Sequence, residues 1–565
     1  MSGELPRVVK AARRGFSVSH GGKVLLSAVD PVAQGERAVE ALPPRDGTLY
    51  FCPSPLFGYG LPRLLERIEK NEPNSAVLCV EACRELLAPD RNGNTAGSLP
   101  SHPRLAMLGI AGAGPEAGES GEKSMERTLS LVRRLWGSRR FRRVEVLRLS
   151  GGWQLYPELY GALAETLRSA IAGDWGNAMT LVKLGRRYAR NFIRNLSLIP
   201  RCPSLAALSF GEAPRLVLGA GPSLDPFLDT WERRKPGGAG KRRGACKIIC
   251  VDTAIPCLKA RGIRPDLVIA LESQHWNLRD FTGARGWAPP LAMDLSALPA
   301  TAEVLGGPCY VFFTPWTELN FFKRLKKAGL LPELFPPLGS VGLSATAAAL
   351  RLSRGPVILS GIDFSFTLDS YHARSTPAHG EKLRRQNRFR GILNQDAAFR
   401  NAAFAGFSKL GRPVRSDPAM RNYRDLFERE FAAERRLMDI EGSGLSLGLP
   451  SLKAEEAIAM LEAGEPGEAA ASPAAPHDKT GGLAELIRAE LGALEKLRKI
   501  LRGERAPEEL EGLLDYCDYV WAHFPECAAA GGRRPADISF LKRVRTEIEP
   551  FMGLWESVLG ETEGP

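Results

Sequence analysis

The residues best suited to chemistry begin with Gly219-Ala220-Gly221-Pro222-Ser223-Leu224, which follows the apolar run Arg215 to Leu218. A strand that stops at a glycine, turns and enters a helix at Pro222 puts unpaired first-turn amides and the positive end of the helix dipole just beyond the strand. With the Ser223 hydroxyl, those amides make a phosphate site that needs no lysine, and Gly219 and Gly221 let the backbone approach a ligand closely. The same glycines also suit a tight strand-to-helix turn that binds nothing. Leu224 stands where a dinucleotide fingerprint has its third glycine; Gly240-Lys241 is no Walker loop, because Lys235 takes the first glycine's place and Arg242 follows.

Further candidates lie at the ends of other strand-like runs. Asp252-Thr253 follows Lys247 to Val251, Glu272 follows Leu267 to Leu271, and Gly361 and Asp363 follow Pro356 to Ser360. Open parallel sheets bind ligands outside the carboxyl ends of their strands, where the strand order reverses, so Gly219, Asp252, Glu272 and Asp363 should converge. Asp252 and Thr253 suit hydrogen bonding to a ribose or base, and Asp252 equally suits capping a helix that begins near Ala254. Asp363 belongs at the rim of the site or in local turn capping. His372 and His379 are candidate bases, since a histidine titrates near neutrality, and His379 falls in what reads as a flexible loop. No D-x-D pair follows a strand, so no metal is expected.

These residues need an α/β frame. Alternating strand and helix patterns over residues 1–150 predict an N-terminal α/β domain, and residues 151–205 a helical bridge carrying Trp175, Asn177, Asn191 and Asn195. Residues 206–400 read as a Rossmann-like parallel-sheet domain, 401–462 as a helical extension with no further strand, 463–482 as an Ala/Pro/Gly linker, and 483–565 as a C-terminal helical module. The 565 residues are 44% hydrophobic, too many for one core. The net charge of +12 is dispersed among 64 acidic residues, which argues against nucleic acid and suits anionic small substrates. The ten cysteines contain no C-x-x-C pair and read as buried thiols. No apolar run is long enough to span a bilayer and no signal peptide opens the chain, so the expected location is the cytoplasm.

The Gly219 motif resembles the nucleotide-sugar loop of bacterial CMP-sialic-acid-dependent sialyltransferases and of the motility accessory factors related to them. IICVDTAIPCLKARGIRPDLVIALES (248–273), with its Gly262-Ile263 and Pro265-Asp266, is similar to that family's second βα unit, and GSVGLSATAAALRLSRGPVILSGIDFSF followed by Tyr371-His372-Ala373 is similar to its helix, strand and histidine segment. FGYGL (57–61), Glu81 and the W-x-N and R-N-x-x-x-N segments before residue 200 extend the likeness over roughly residues 40–400. Ala220 and Glu272 stand where relatives commonly have Asn and Asp. The resemblance implies an inverting glycosyltransferase that moves a nonulosonic acid of pseudaminic, legionaminic or sialic type from a CMP donor to Ser/Thr hydroxyls of flagellin, in support of flagellar assembly and motility. It implies no cofactor beyond the donor. Gly219, Gly221, Pro222, Ser223, Asp252, Thr253, Glu272, Ser360 and Gly361 would bind that donor, and His372 and Asp363 would be catalytic. FGYGL and Glu81 also fit a methyltransferase-like ribose site, with an acceptor-handling or vestigial domain preferred. The alternatives are an ATP- and Mg-dependent hydroxymethylpterin pyrophosphokinase, using clustered Asp252, Glu272 and Asp363, and a non-catalytic flagellin-binding accessory protein.

Overall fold

A computed structural model describes the chain outside residues 1–5, 88–98, 111–119, 138, 235–245, 369, 390, 392–401, 464–478, 526–536 and 564–565, with the side chains of 120–122 also left aside. Gly240-Lys241 and most of the proposed linker lie outside the described residues. Two compact units emerge, one of residues 1–184 and 522–536, the other of 185–521 and 537–565.

In the first unit, β1 (Arg7–Lys10), β2 (Phe16–His20) and β3 (Lys23–Val24) form an antiparallel ribbon that the sequence reading did not anticipate. Four parallel strands follow: β4 (Thr48–Pro53), β5 (Ala76–Glu81), β6 (Leu105–Gly109) and β7 (Arg143–Val146), in the order β6-β5-β4-β7. β4 is buried along its whole length because both faces are covered. Leu49 and Phe51 pack with Leu163 and Leu167 of the helix Pro157–Asn195, and Tyr50 and Cys52 pack with Leu61, Leu64 and Ile68 of the helix Leu61–Asn71.

The second unit holds an all-parallel sheet in the order β12-β11-β10-β9-β8-β13-β16-β17. Its strands are β8 (Arg215–Leu218), β9 (Lys247–Val251), β10 (Leu267–Ala270), β11 (Leu291–Asp294), β12 (Cys309–Phe312), β13 (Val357–Ser360), β16 (Leu437–Ile440) and β17 (Ser451–Leu452). Between β13 and β16 lies a separate hairpin of β14 (Phe404–Phe407) and β15 (Pro413–Ser416). The α/β class, with a Rossmann-like sheet and a helical C-terminal end, is as expected. The strand-free helical extension at 401–462 is not: β14 to β17 fall there, and its helix Pro418–Phe431 is followed by β16 in the main sheet. Leu437-Met438-Asp439-Ile440 is too short to declare a period, and its strand state comes from pairing with β13. β11 was missed for the same reason.

Asn191 and Asn195, one helical turn apart at the end of the helix Pro157–Asn195, staple the sheet's carboxyl edge. Asn191 Nδ2 donates to Ser273 O at 3.0 Å and Ser296 O at 3.2 Å, and Asn195 Nδ2 donates to Leu295 O at 2.8 Å and Ala297 O at 2.9 Å. Both amides are buried, so the loops after β10 and β11 are fixed by side chains. At the far end of the chain, Asp518 accepts from the backbone N–H of Asn320 at 2.5 Å and of Phe321 at 3.3 Å, capping the helix Asn320–Lys327. Arg324 of that helix pairs with the buried Glu490 at 2.8 Å.

Asn195→Ala leaves two buried carbonyls without a donor and should cost about 2–3 kcal/mol. Urea unfolding of the full chain measures this, and an unchanged midpoint would remove the staple from the account.

Candidate functional site

The order of the second sheet reverses between β8 and β13: from β8 the chain proceeds outward through β9 to β12, and from β13 it proceeds the other way to β16 and β17. The Gly219 turn and the Ser360-Gly361-Ile362-Asp363 segment are the carboxyl ends of those two strands, so the motifs meet where an open sheet places its ligand crevice.

Their meeting is more intimate than a shared crevice. Gly219 N–H donates to Ser360 O and Gly221 N–H to Gly361 O, each at 2.8 Å. Ser223 N–H donates to Asp363 Oδ2 at 2.7 Å, the Ser223 hydroxyl donates to Asp363 Oδ1 at 2.5 Å, and the same hydroxyl accepts from Gly361 N–H at 3.2 Å. Leu224 N–H donates back to Gly221 O at 3.1 Å. The helix begins at Leu224, two residues later than Pro222 was expected to start it. The expectation that Ser223 offers its hydroxyl and amide to a phosphate is therefore corrected: both are given to Asp363, and Ser223 is only 3% exposed.

The glycines follow from this interlock. A Cβ on Gly219 would stand 2.2 Å from Gly361 O, and one on Gly221 would stand 2.5 Å from Asp363 Oδ2. Gly361 has φ +75°, which an L side chain adopts only with strain. A third loop closes over the pair, since Leu445 N–H donates to Asp363 O at 2.8 Å and Lys409 Nζ reaches Asp439 Oδ2 at 2.5 Å and Ile440 O at 2.7 Å. Burial raises the Asp363 carboxyl above its ordinary range, while Lys409 and the Ser223 donors oppose that rise. Burial likewise pushes Asp439 up to about 6, against the pull of Lys409. Asp363 thus positions the turn, and Lys409 and Asp439 are partners that the sequence did not advertise.

His372 reaches the same turn. Ala373 N–H donates to Ala220 O at 2.9 Å, which draws the neighbouring ring to the Ala220 backbone. Arg374 anchors the segment: its N–H donates to Asp225 Oδ2 at 2.8 Å and its guanidinium reaches Asp229 at 2.8 Å. Desolvation pushes the His372 imidazole down to about 4, with Arg279 and Lys382 adding repulsion. The ring is neutral at physiological pH, the state a proton acceptor requires. His379 lies in the first turn of the helix Pro377–Arg385 rather than in a flexible loop, and its Nδ1 accepts from Ser375 N–H at 3.4 Å.

Asp252, Thr253 and Glu272 form a second group on β9 and β10. Asp252 Oδ1 accepts from Thr253 N–H at 2.8 Å and Oδ2 from Asn277 Nδ2 at 3.0 Å. Asp252 opens a 3-10 turn, and the helix that follows, Ile255–Ala260, receives no side-chain cap from it. Burial raises Asp252 to about 6. Asp280, overlooked in the sequence, is buried beside it and is raised by burial to about 7, with Asp252 adding repulsion; its Oδ1 has no hydrogen-bond partner. Glu272 is exposed, accepts from Gln274 N–H at 2.8 Å, and contributes to raising Tyr188, which burial chiefly lifts to about 12. The expected convergence is therefore two clusters, and Arg279 acts electrostatically on Asp280 in one and on His372 in the other. Asp252, Glu272 and Asp363 do not gather as a three-ligand cluster: among the described residues only His20, Cys83 and Glu85 bring three ligand atoms within 4.8 Å of one another.

Against known proteins, the model of the 6-hydroxymethylpterin diphosphokinase MptE-like family matches residues 190–369, the stretch from Asn191 to the end of the Asp363 segment. An uncharacterized protein of Treponema pallidum (strain Nichols) is 28% identical over 97% of this chain and 95% of its own length. A solved structure, the MAf glycosyltransferase from Magnetospirillum magneticum AMB-1, superposes on 100% of this chain and 93% of its own with a TM-score of 0.53 at 15% identity. The chain shares that enzyme's fold. The motility accessory factor likeness and the pterin-kinase-like likeness drawn from the motifs thus each have a counterpart, one along the whole chain and one within the second unit. No helix among the described residues is long and apolar enough to cross a membrane.

Two substitutions test the geometry. Gly221→Ala drives a methyl against Asp363 and should destabilise the chain by about 1–3 kcal/mol in urea; a wild-type midpoint would mean that the loops are not interlocked. Asp280 has a folded-state pKa raised above its unfolded value, so its contribution to stability is present at low pH and is lost as pH rises through about 7. Asp280→Asn should accordingly be more stable than wild type at pH 8, by on the order of 2 kcal/mol, with the difference closing toward pH 4.

Proposed function

We propose that this chain is a glycosyltransferase that moves a nonulosonic acid from a CMP donor onto Ser or Thr hydroxyls of flagellin, with inversion at the anomeric carbon. The observation that carries the reading is His372, held neutral against the Gly219 turn at the strand-order reversal, in a chain whose whole length takes the fold of a MAf glycosyltransferase. In this reading the acceptor hydroxyl loses its proton to His372 as it attacks, the bond from the anomeric carbon to the phosphate oxygen breaks, and CMP leaves with the electron pair. Arg279 and Lys382, already felt by His372, would stabilise the negative charge that develops on the leaving phosphate. Asp252, Thr253 and Asn277 would face the nucleoside. Asp363 would act by holding the turn, and Gly219, Gly221, Pro222 and Gly361 by shaping it. A nucleotide sugar and a protein acceptor would be the partners, in the cytoplasm, with no resident cofactor.

A second reading is favoured by the family match over residues 190–369: ATP-dependent diphosphoryl transfer to a hydroxymethylpterin. The two differ in donor, metal demand and product. Purified chain mixed with flagellin and CMP-activated nonulosonic acids should add the mass of one or more sugars to intact flagellin without added Mg²⁺. Absence of any gain together with AMP release from ATP and a hydroxymethylpterin would establish the kinase instead. His372→Ala should lower kcat about 10²–10⁴-fold. For the wild type, kcat/KM should fall as pH drops through about 4, where the ring gains a proton. A His372→Ala protein with full turnover would remove the base from the mechanism, and one that still supports flagellar assembly in cells would favour the accessory role.

A further inference from the structure

We infer that the first unit carries a binding site for a borderline divalent cation such as zinc, made by His20, Cys83 and Glu85. The three residues come from two places: His20 ends β2 of the antiparallel ribbon, and Cys83 and Glu85 lie just past the carboxyl end of β5. Cys83 Sγ lies 3.7 Å from His20 Nε2 and 3.1 Å from Glu85 Oε2, and one donor atom from each residue falls within 4.8 Å of the others. With zinc about 2.3 Å from sulfur and about 2.0–2.1 Å from nitrogen, a tetrahedral centre sets those two donors about 3.6 Å apart. The sulfur-to-nitrogen spacing therefore already fits a shared ion.

The donor set fits as well. A thiolate, an imidazole and a carboxylate are the three side-chain types that zinc takes, and three protein ligands leave a fourth position for water. His20 Nε2, the nitrogen that faces the trio, meets the weakly hydrogen-bonding Cys83 thiol. The neighbouring Glu81, by contrast, is fully engaged by Ser54 Oγ at 2.7 Å, Cys83 N–H at 3.0 Å and Tyr160 OH at 3.3 Å. Glu81 is thus a structural carboxylate, not the ribose ligand of a methyltransferase-like site, and it orients the backbone from which Cys83 projects. An ion on the trio would tie the ribbon to the parallel sheet.

The test uses the full chain, stripped of metal and titrated with Zn²⁺ against a chromophoric chelator, and separately with Co²⁺. One equivalent should bind with a dissociation constant at or below the micromolar range, and Co²⁺ should give the near-ultraviolet thiolate charge-transfer band with a tetrahedral visible spectrum. His20→Ala, Cys83→Ser and Glu85→Gln should each weaken binding at least tenfold, and Cys202→Ser, in the other unit, should leave it unchanged. Glu85 is only partly buried, so Glu85→Gln keeps the test open if Cys83→Ser fails to fold. No stoichiometric binding, binding indifferent to the three substitutions, or an octahedral Co²⁺ spectrum without the thiolate band would each overturn the assignment.

Discussion

The second unit is organised around one buried carboxylate. Asp363 takes both the amide and the hydroxyl of Ser223, and so welds the end of β13 to the end of β8 at the point where the sheet reverses its order. The residues around that bond answer to it. Gly219, Gly221 and Gly361 are small because two backbones must touch, Lys409 supplies positive charge nearby, and the loop after β16 closes over Asp363 through Leu445 N–H. Charge-assisted hydrogen bonds of this kind are roughly twice as strong as neutral ones and lose much when bent. A turn held this way is fixed by its own buried hydrogen bonds.

Desolvation sets the protonation states on both sides of that turn. The same burial that holds His372 neutral pushes Asp252, Asp280 and Asp439 toward their protonated forms. A buried ring that cannot readily charge and carboxyls shifted toward neutrality lower the fixed charge of the interior. Arg279, exposed and acting on both clusters, lies 4.0 Å from the Glu381 carboxylate.

Much of the frame was legible because its signals are local. β8, β9, β10 and β13 are short apolar runs, β8 and β13 bounded by proline and glycine, and the open-sheet rule then placed Gly219, Asp252, Glu272 and Asp363 at strand ends without coordinates. β16 was not legible, because four residues of mixed polarity become a strand only when β13 offers them its edge. Asn191 and Asn195 were read as an R-N-x-x-x-N segment of the resemblance; their i, i+4 spacing on one helix face was the clue to a shared task. Asp280 and Lys409 gave no signal, for their importance lies in what surrounds them after folding.

The sequence alone determined the class of the fold and the βα turn at Gly219, since backbone geometry and strand patterning are written within a few consecutive residues, while the family resemblance is what pointed to His372. Tertiary structure decided how those parts are used. It turned Ser223 inward to Asp363, split the expected convergence into two clusters, and brought His20 from the ribbon to Cys83 and Glu85. Each of these depends on side chains separated by tens to over a hundred positions meeting in a dry interior, where the cost of an unpaired polar group selects one partner over another.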